Sequence, residues 1–291
     1  MRINREVKFF LILALFPACL LFLLYYVVPI ISLIVTSLFQ WEGINMGGYH
    51  GLANYKALAV DNVFYTALGN NLTWTLASVC VHIPLALLIA LLLARKFRGW
   101  KILRTVYFLP HVIAITAYAV IYMNIFNPSF GALNAVLKVI GLGGWAKNWL
   151  FDPHLAWPVI LSTWVFHIGL FAMVILSDII SIPEDMFEAA EIDGASKFKQ
   201  SIYLTIPLLR TTIGTCLILD VTGGLRYFEG LYIMTNGAPN YRTETLALYL
   251  YQQLMLVRNS YANTIGVALM ALGMIFVLMI NGAFKLGKTD Y

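Results

Sequence analysis

Residues 188–207 read EAAEIDGASKFKQSIYLTIP and form the longest polar segment with helical signals of its own in an otherwise apolar chain. Pro183 suits the first turn of a helix, where its missing N–H costs nothing, and the acidic residues that follow it favour the positive end of the helix dipole. Gly194 has no Cβ and can take the left-handed conformation that ends a helix. We therefore expect two short helices joined at Gly194, the second running from Ser196 to about Tyr203.

The composition of the chain around this segment is that of a membrane protein. Hydrophobic residues make up 60% of the 291 residues and charged residues only 11%, and the mean hydropathy is +0.80. In soluble domains roughly a quarter of the residues are charged. Because a spanning helix needs roughly 20 apolar residues, the chain has room for about six spans and for no sizeable soluble domain.

The apolar runs predict an all-α fold of six transmembrane helices, at about 9–38, 66–94, 105–126, 155–180, 208–234 and 262–284. The basic residues between Arg95 and Arg104 place that loop in the cytoplasm, because Lys and Arg collect on the inner side. Alternation from there puts segment 183–207 and both termini in the cytoplasm, where Arg2 and Lys288 add positive charge. The apolar run after Arg2 is too long for a signal peptide, so we expect a retained, tilted first helix.

The charge and cysteine patterns argue against several classes of function. The net charge of +5 is explained by basic residues at membrane edges, so we expect no nucleic-acid partner. Cys19, Cys80 and Cys216 all lie inside apolar runs, which argues against a disulfide framework. No cluster of His, Cys and carboxylates has the spacing of a metal site, and no nucleophile is paired with a base. The sequence therefore predicts neither an enzyme nor a metal protein.

Two functions fit the helical segment 183–207 when only its composition is considered. Paired short helices on the face of a membrane protein form a surface suited to docking on another protein. An amphipathic helix that lies on lipid headgroups needs the same combination of an apolar stripe and charges. Composition does not separate these two functions.

The residue pattern of this segment resembles the EAA loop of ABC-importer membrane subunits. That family pattern is EAA, three residues, Gly, nine residues and then I-x-L-P. Here Glu188 begins the EAA triplet, Gly194 follows at the required distance, and residues 204–207 read L-x-I-P, with Leu and Ile exchanged. The resemblance implies a single permease domain over residues 1–291, with the fold of a type I importer transmembrane domain and a cytoplasmic coupling loop at 183–207.

Scattered motifs resemble the sugar-permease branch of these importers, the maltose and glycerol-3-phosphate type. Residues 51–55 read GLANY and match the family's G-L-x-N-Y, while Asn71 fits the Asn-Thr pair that follows, although Leu72 replaces the threonine. Phe228-Glu229 stands in the place of Phe-Asp, and residues 235–239, TNGAP, resemble T-x-G-G-P. Further hydroxyl residues continue the match at Thr243, Thr245, Tyr249 and Tyr251.

The resemblance implies a division of labour with other proteins. Residues 282–289 read GAFKLGKT and match the letters of the phosphate-loop pattern G-x-x-x-x-G-K-[ST], but they end an apolar run and do not follow a strand, so we expect the chain to bind no cofactor and to catalyse no reaction. ATP and Mg would be bound by two partner ATPase subunits, and a second homologous but non-identical permease would complete a heterodimer. An extracellular solute-binding protein would deliver the carbohydrate, which we expect to be an oligosaccharide, to this assembly in a bacterial or archaeal cell (inner) membrane.

The resemblance also implies which residues couple the chain to the ATPase. They are Glu188, Ala189, Ala190, Asp193, Gly194, Ala195, Phe198 and Pro207. Glu188 would form an ion pair with a basic residue of the ATPase, the two alanines would permit close approach, and Gly194 would form the elbow. The alternative for Glu188 is a solvated helix charge worth less than about 1 kcal/mol.

Polar groups at membrane depth are costly, and each is therefore a candidate for solute contact. The candidates are Tyr118, Tyr122, Trp164, His167, Asp220, Arg226, Tyr227 and Glu229. Aromatic faces beside hydroxyl, imidazole and carboxylate groups suit a sugar ring, and Arg226 and Glu229 are spaced to pair on one helix face. The alternative is that the aromatic residues pack against helices or lipid and that the histidines form interhelical hydrogen bonds.

A transporter of another class also fits part of the sequence. A secondary transporter driven by an ion gradient would have unwound helices, paired halves and a titratable carboxylate near the midplane. Asp220 is compatible with this alternative, whereas the coupling loop and the absence of visible paired halves argue against it. A third possibility, a membrane-embedded enzyme, has no catalytic residues to support it.

Overall fold

The computed structural model describes residues 5–287, and helices dominate it. The prediction of an all-α fold is confirmed, since the strands among these residues form one antiparallel hairpin, Phe39–Glu42 with Asn45–Tyr49. Arg2 and Lys288, which contributed to the predicted orientation, lie outside the described residues. The chain divides into two units, of which the first comprises residues up to Asp61 together with Leu250–Ala268, and the second comprises Asn62–Tyr249 together with the residues from Leu269 onward.

The first unit begins with a helix that is long enough to span a membrane. Its parts are Arg5–Phe22, a π-helical turn at Leu23–Val27, and Val28–Ser37. The candidate span within it is Leu13–Ser37. The hairpin follows, and then a short helix, Ala53–Leu58. The unit also contains the end of helix Leu246–Met255 and the start of helix Asn259–Phe284.

The GLANY motif at residues 51–55 ties the end of this first helix to the loop that follows it. Asn54 donates through Nδ2 to the carbonyl oxygen of Ser37 at 2.8 Å, where the helix ends. The hydroxyl oxygens of Tyr55 and Ser37 lie 2.7 Å apart. Because the last carbonyls of a helix have no intrahelical donor, the Asn54 amide satisfies one of them. The motif therefore has a local capping role in this structure.

The second unit contains most of the helices. They are Asn62–Ala77, Ile83–Ala94, Trp100–Val112, Ile115–Ile125, Ala132–Val139, Ala156–Val165, Gly169–Ser181, Glu184–Ile192, Lys197–Gln200, Ile206–Leu208, Arg210–Leu225 and Glu229–Met234. Ser78–His82 and Ser201–Thr205 are π-helical turns, and Gly143–Trp145 is a 3-10 turn. Across the described residues, four helices are long and apolar enough to cross a membrane, or six if each of two bent pairs is one span. The count of six and the limits of each span therefore stay predictions.

Three prolines follow π-helical turns that no pattern in the sequence predicted. Pro29, Pro84 and Pro207 each lie two residues after the end of such a turn. A proline ring clashes with the carbonyl group four positions earlier and offers it no N–H. The wider turn moves that carbonyl aside, and the residue before the proline donates five residues back, as Ile83 does to Ser78. The helices therefore continue past Pro29 and Pro84, whereas the helix that contains Pro207 ends one residue later, at Leu208.

The core of the second unit is the contact between helices Ile83–Ala94 and Gly169–Ser181. Their buried side chains are apolar and include Ile83, Ala86, Ile89, Ala90, Leu93, Phe171, Ala172, Ile175, Leu176 and Ile179. Small residues allow helices to approach closely where lipid gives no hydrophobic driving force. Gly169 gives the same close approach to a third helix, Trp100–Val112, because a Cβ there would collide with the carbonyl oxygen of Tyr107.

The third predicted span is not one helix, so the prediction of a continuous helix over 105–126 was wrong. Helices Trp100–Val112 and Ile115–Ile125 meet at an angle of 103°. Ile113 between them has an extended backbone, with φ −75° and ψ 132°. Pro110 lies in the last turn of the first helix and is the local feature that weakens it. The sequence showed this proline, but the apolar run continued through it.

The predicted fourth and fifth spans are also interrupted. The fourth tightens into a turn between Val165 and Gly169. The fifth, predicted at 208–234, is interrupted between Leu225 and Glu229. Three further helices lie in segments predicted as loops, namely Ala53–Leu58, Ala132–Val139 and Leu246–Met255.

Replacing Gly169 with alanine should destabilise the protein, because the new methyl group would collide with the backbone of the neighbouring helix. Overpacking of this kind costs about 1–3 kcal/mol, so the thermal unfolding midpoint of the purified full chain should fall by several degrees. Gly223→Ala is the matched control, since a Cβ at Gly223 meets nothing within 4 Å and alanine is the better helix former. Equal midpoints for the two variants would contradict the close packing at Gly169.

Candidate functional site

The coupling segment, residues 183–207, forms the two short helices expected on either side of Gly194. The first helix, Glu184–Ile192, ends at Asp193, and Gly194 has a φ of +80°. Ala195 donates its N–H to a carbonyl of the last turn, which closes the helix in the way that left-handed glycines allow. A Cβ on Gly194 would meet nothing within 4 Å, so glycine is favoured there by backbone conformation and not by space.

The second short helix extends further than the sequence predicts. Ser196 caps its start by accepting the N–H of Lys199 at 3.4 Å. Helical turns continue past Tyr203 to Leu208, and the helix then bends by 68° into Arg210–Met234. A helix, and not a loop, therefore joins the coupling segment to the predicted fifth span.

The coupling segment exposes large apolar side chains among charged ones. They are Ile192, which is 87% exposed, Phe198 at 69% and Tyr203 at 77%. Lys197 and Glu191 form an ion pair at 3.1 Å, and because both side chains are 65% exposed it contributes little to stability. The other predicted coupling residues are exposed or partly buried: Glu188, Ala189, Ala190, Asp193, Gly194, Ala195 and Pro207. Exposed apolar side chains in a polar segment are typical of a surface that binds a partner.

Five of the residues predicted to contact solute form an aromatic cluster in the second unit. The ring of His167 stacks on Trp164, with centroids 5.8 Å apart and planes at 11°. The rings of His167 and Tyr118 meet edge to face, with centroids 4.2 Å apart. The ring centroids of Tyr122 and Tyr118 lie 4.6 Å apart, and those of Tyr227 and Trp164 lie 5.4 Å apart. Three interrupted spans thus bring these side chains together.

Trp74 and His82 complete the aromatic cluster, although neither was among the residues predicted to contact solute. Their ring centroids lie 5.0 Å and 5.3 Å from that of Trp164. His82 Nδ1 lies 2.9 Å from Oδ2 of Asp220, and both side chains are almost fully buried. This contact joins the Ser78–His82 turn to helix Arg210–Leu225 and brings Asp220 to the cluster. A polar residue in each of two apolar runs was the available signal, but the sequence could not show that they meet.

Several polar atoms in and beside the aromatic cluster have no hydrogen-bond partner within residues 5–287. They are Trp74 Nε1, Ser78 Oγ, His82 Nε2, Trp164 Nε1, His167 Nδ1 and Asp220 Oδ1. Each is buried, where an unpaired polar group lowers the stability of the protein. The hydroxyl groups of a sugar both donate and accept hydrogen bonds, so the cluster has the chemistry to bind one.

Arg226 and Glu229 do not join the aromatic cluster, and the prediction that they pair on one helix face was wrong. The helix ends at Leu225 and the next begins at Glu229, so the three-residue spacing no longer places both side chains on one face. Arg226 instead donates through Nε to the carbonyl of Thr222 at 3.2 Å. Both side chains are exposed.

Asn70 and Asn71, both in helix Asn62–Ala77, hold a loop that is distant in sequence in place. Asn70 donates through Nδ2 to the carbonyls of Arg242 and Glu244, at 2.9 and 2.7 Å. Asn71 accepts the N–H of Leu246 at 2.9 Å through Oδ1, at the first residue of helix Leu246–Met255. The two asparagines therefore fix the position of the loop at residues 242–246. In the part of the chain that the structure describes, no three His, Cys, Asp or Glu side chains could hold a metal ion.

A comparison with protein families shows that the chain is a membrane transport subunit. Residues 82–285 match the family described as "Binding-protein-dependent transport system inner membrane component". The chain belongs to this family, whose members are non-catalytic permease subunits of ABC transporters. The resemblance drawn from the EAA pattern is therefore confirmed.

Relatives match the chain over nearly its whole length. It is 34% identical over 284 residues to the "Probable ABC transporter permease protein YurN" of Bacillus subtilis (strain 168), covering 96% of this chain and 97% of that protein. It is 32% identical over 278 residues to the arabinooligosaccharides transport system permease protein AraP of the same organism, with coverages of 92% and 87%.

A solved structure shares the fold. The match is to a chain in the crystal structure of a bacterial alginate ABC transporter in complex with alginate pentasaccharide-bound periplasmic protein, with a TM-score of 0.85 and 25% identity. The alignment covers 99% of this chain and 100% of that one. The predicted fold of an importer transmembrane domain is therefore confirmed.

Substitutions at His82 and Asp220 should be strongly coupled in stability. His82→Ala and Asp220→Ala should each lower stability, because each leaves the other side chain buried without its partner. Asp220→Asn keeps a carbonyl that accepts from Nδ1 and should cost least. Unfolding free energies of the single and double variants in detergent should give a coupling energy of about 1.5–3 kcal/mol. Additive effects would contradict a direct contact between the two side chains.

Proposed function

We propose that this chain is a permease subunit of an ATP-driven, binding-protein-dependent importer of carbohydrate, with an oligosaccharide as its substrate. Family membership supports the transport role, and the arabinooligosaccharide relative supports the substrate class. The observation that carries the proposal is the coupling segment, which is exposed and leads by helices to a buried cluster suited to a sugar. An ion-coupled secondary transporter is not favoured, because the chain belongs to a binding-protein-dependent family.

The chain would act together with other proteins. A second homologous permease subunit would complete a heterodimer, and two ATPase subunits would bind ATP and Mg. An extracellular solute-binding protein would deliver the carbohydrate, as supported by the related alginate transporter, which was solved with a substrate-bound periplasmic protein. The assembly would lie in the inner membrane of a bacterial cell or in the cell membrane of an archaeon.

The proposed orientation places both termini and the coupling segment in the cytoplasm. The basic residues that follow Ala94 support it, because Lys and Arg collect on the cytoplasmic side. The six spans would be those predicted from the sequence, with the third and the fifth formed by the bent helix pairs. In this orientation the ATPase meets Glu188 from the cytoplasm.

Coupling would proceed through rigid helices. Glu188 is exposed and has no ion-pair partner among residues 5–287, so its carboxylate is available to a basic residue of the ATPase. The coupling segment continues on one side into Gly169–Ser181 and on the other into Arg210–Leu225. The first of these helices begins two residues after His167, and the second contains Asp220. Movement of the segment would therefore reach the aromatic cluster through both.

Gly194→Ala should uncouple transport from ATP hydrolysis, because a left-handed backbone costs an alanine about 1–2 kcal/mol and the elbow would relax. Transport of labelled oligosaccharide by proteoliposomes that contain the complete transporter should fall at least severalfold, while the chain stays folded. Gly141→Ala is a closely matched control, since Gly141 also has a positive φ, +82°, and nothing within 4 Å of its Cβ position. If both alanines impair transport equally, the effect is strain and not coupling.

Glu188→Gln should weaken binding of the ATPase without changing the stability of the isolated chain. A charge pair that is buried at an interface loses about 2–5 kcal/mol when one partner is removed. Pull-down of the cognate ATPase by the purified permease should therefore fall by more than tenfold. Asp185→Asn removes an exposed charge from the same helix and should leave binding unchanged. Retention of full binding by Glu188→Gln would remove the proposed role of Glu188.

Trp164→Ala should lower the maximal transport rate, because Trp164 contacts four other rings of the aromatic cluster. An aromatic contact from this ring to the sugar, worth about 0.5–1.5 kcal/mol, would be lost as well, so a decrease of up to about tenfold is expected in the same proteoliposome assay. Trp145→Ala is the control, since Trp145 is 67% exposed and lies outside the cluster. An unchanged rate for Trp164→Ala would place solute contact elsewhere.

A further inference from the structure

A groove in the second unit lies between helix Ile83–Ala94 and the second short helix of the coupling segment, Lys197–Leu208, which we call the second coupling helix. It has a volume of about 350 Å³, and its lining is apolar apart from Arg95 and Ser201. One wall is formed by residues of the first helix and the other by residues of the second, including Leu88, Leu92, Ile202 and Ile206. The first wall runs from Pro84 to Arg95, which is about 16 Å of helix. That length matches much of an acyl chain in one leaflet of a bilayer.

A basic cavity adjoins this groove at its Arg95 end. It has a volume of about 780 Å³ and shares Leu91, Arg95 and Ser201 with the groove. Lys96 and Lys197 add two further cations to its lining, and Glu184 is its one carboxylate. Lys197 also pairs with Glu191, so Arg95 and Lys96 are the cations best placed to meet an anion. The cavity therefore favours an anionic group.

We propose that the groove and the basic cavity together bind one anionic phospholipid. The acyl chain would lie in the groove, and the phosphate would contact Arg95 and Lys96 at the membrane surface. Apolar walls that end in cations match the chemistry of such a lipid, because basic residues at the cytoplasmic surface attract anionic headgroups. A helix of another membrane protein could fill the groove, but it would not account for the cations at one end.

The bound lipid would join two parts of the second unit. Its tail would contact helix Ile83–Ala94, which belongs to the core, and helix Lys197–Leu208, which belongs to the coupling segment. It would thereby hold the second coupling helix against the core. This proposal does not depend on the solute or on the ATPase, since lipid binding can be measured on the chain alone.

The test is native mass spectrometry of the full chain taken from nanodiscs that contain equal amounts of phosphatidylglycerol and phosphatidylcholine. The chain should retain phosphatidylglycerol in preference. Each basic residue near an anionic lipid contributes roughly a fivefold change in binding, so R95Q/K96Q should reduce that preference about 25-fold. The matched pair R98Q/K101Q removes the same charge from the loop and from the first turn of helix Trp100–Val112, but these residues line neither cavity, and the change should leave the preference unchanged.

A second pair of variants tests the groove itself. Leu88→Trp should fill the groove and reduce phosphatidylglycerol retention at least tenfold, whereas Leu76→Trp on an exposed face outside it should not. Retention unchanged by Leu88→Trp would show that the cations bind the phosphate without the tail, which overturns the proposal. Equal losses in both charge pairs would overturn it in favour of general surface attraction. Capture of a protein in native membranes by a photocrosslinker at Leu88, which lines the groove outside the coupling segment, would show that another chain occupies the groove, and would also overturn the proposal.

Discussion

Polar groups inside a membrane must find their partners within the protein, because hydrocarbon offers none. The second unit meets this requirement at the carbonyl of Thr163, where helix Ala156–Val165 comes to its end. That carbonyl accepts the N–H of Phe166 and also the hydroxyl of Tyr118, which belongs to the broken third span. A hydroxyl group of one interrupted span therefore donates a hydrogen bond to a backbone carbonyl of another. Without the Tyr118 hydroxyl, the carbonyl of Thr163 would accept only the N–H of Phe166.

The aromatic cluster lies where this compensation takes place. His167 is in the turn between Val165 and Gly169, and Tyr227 is in the interruption after Leu225. Tyr118 follows the bend at Ile113 by little more than one helical turn. Irregular backbone at membrane depth is tolerated where it is buried in protein or lines a polar cavity. The interruptions of the helices need hydrogen-bond partners within the protein. Polar and aromatic side chains therefore collect beside these interruptions.

The sequence predicts local features well and distant contacts poorly. The elbow at Gly194 follows from the conformational freedom of glycine, and the apolar runs mark most of the span-length helices, because both depend on neighbouring residues. The contact between His82 and Asp220 joins residues 138 positions apart, so no local pattern could reveal it. Prolines were visible in the sequence, yet Pro110 lies near a sharp bend while Pro84 lies in a continuous helix. A π-helical turn precedes Pro84 and keeps its helix continuous, and no local pattern in the sequence indicated that turn.

The packing of the second unit also limits how a movement of the coupling segment can act. Helix Gly169–Ser181 packs closely on Ile83–Ala94, and Asp178 accepts the hydroxyl of Thr212 in helix Arg210–Leu225. Interiors packed this tightly move as one body and do not deform gradually. The three helices would therefore carry His82 and Asp220 together, and their contact would persist during the movement. Access to the cluster would then depend on the remaining packed pair, which consists of Ile115–Ile125, which contains Tyr118, and Glu229–Met234, which begins two residues after Tyr227.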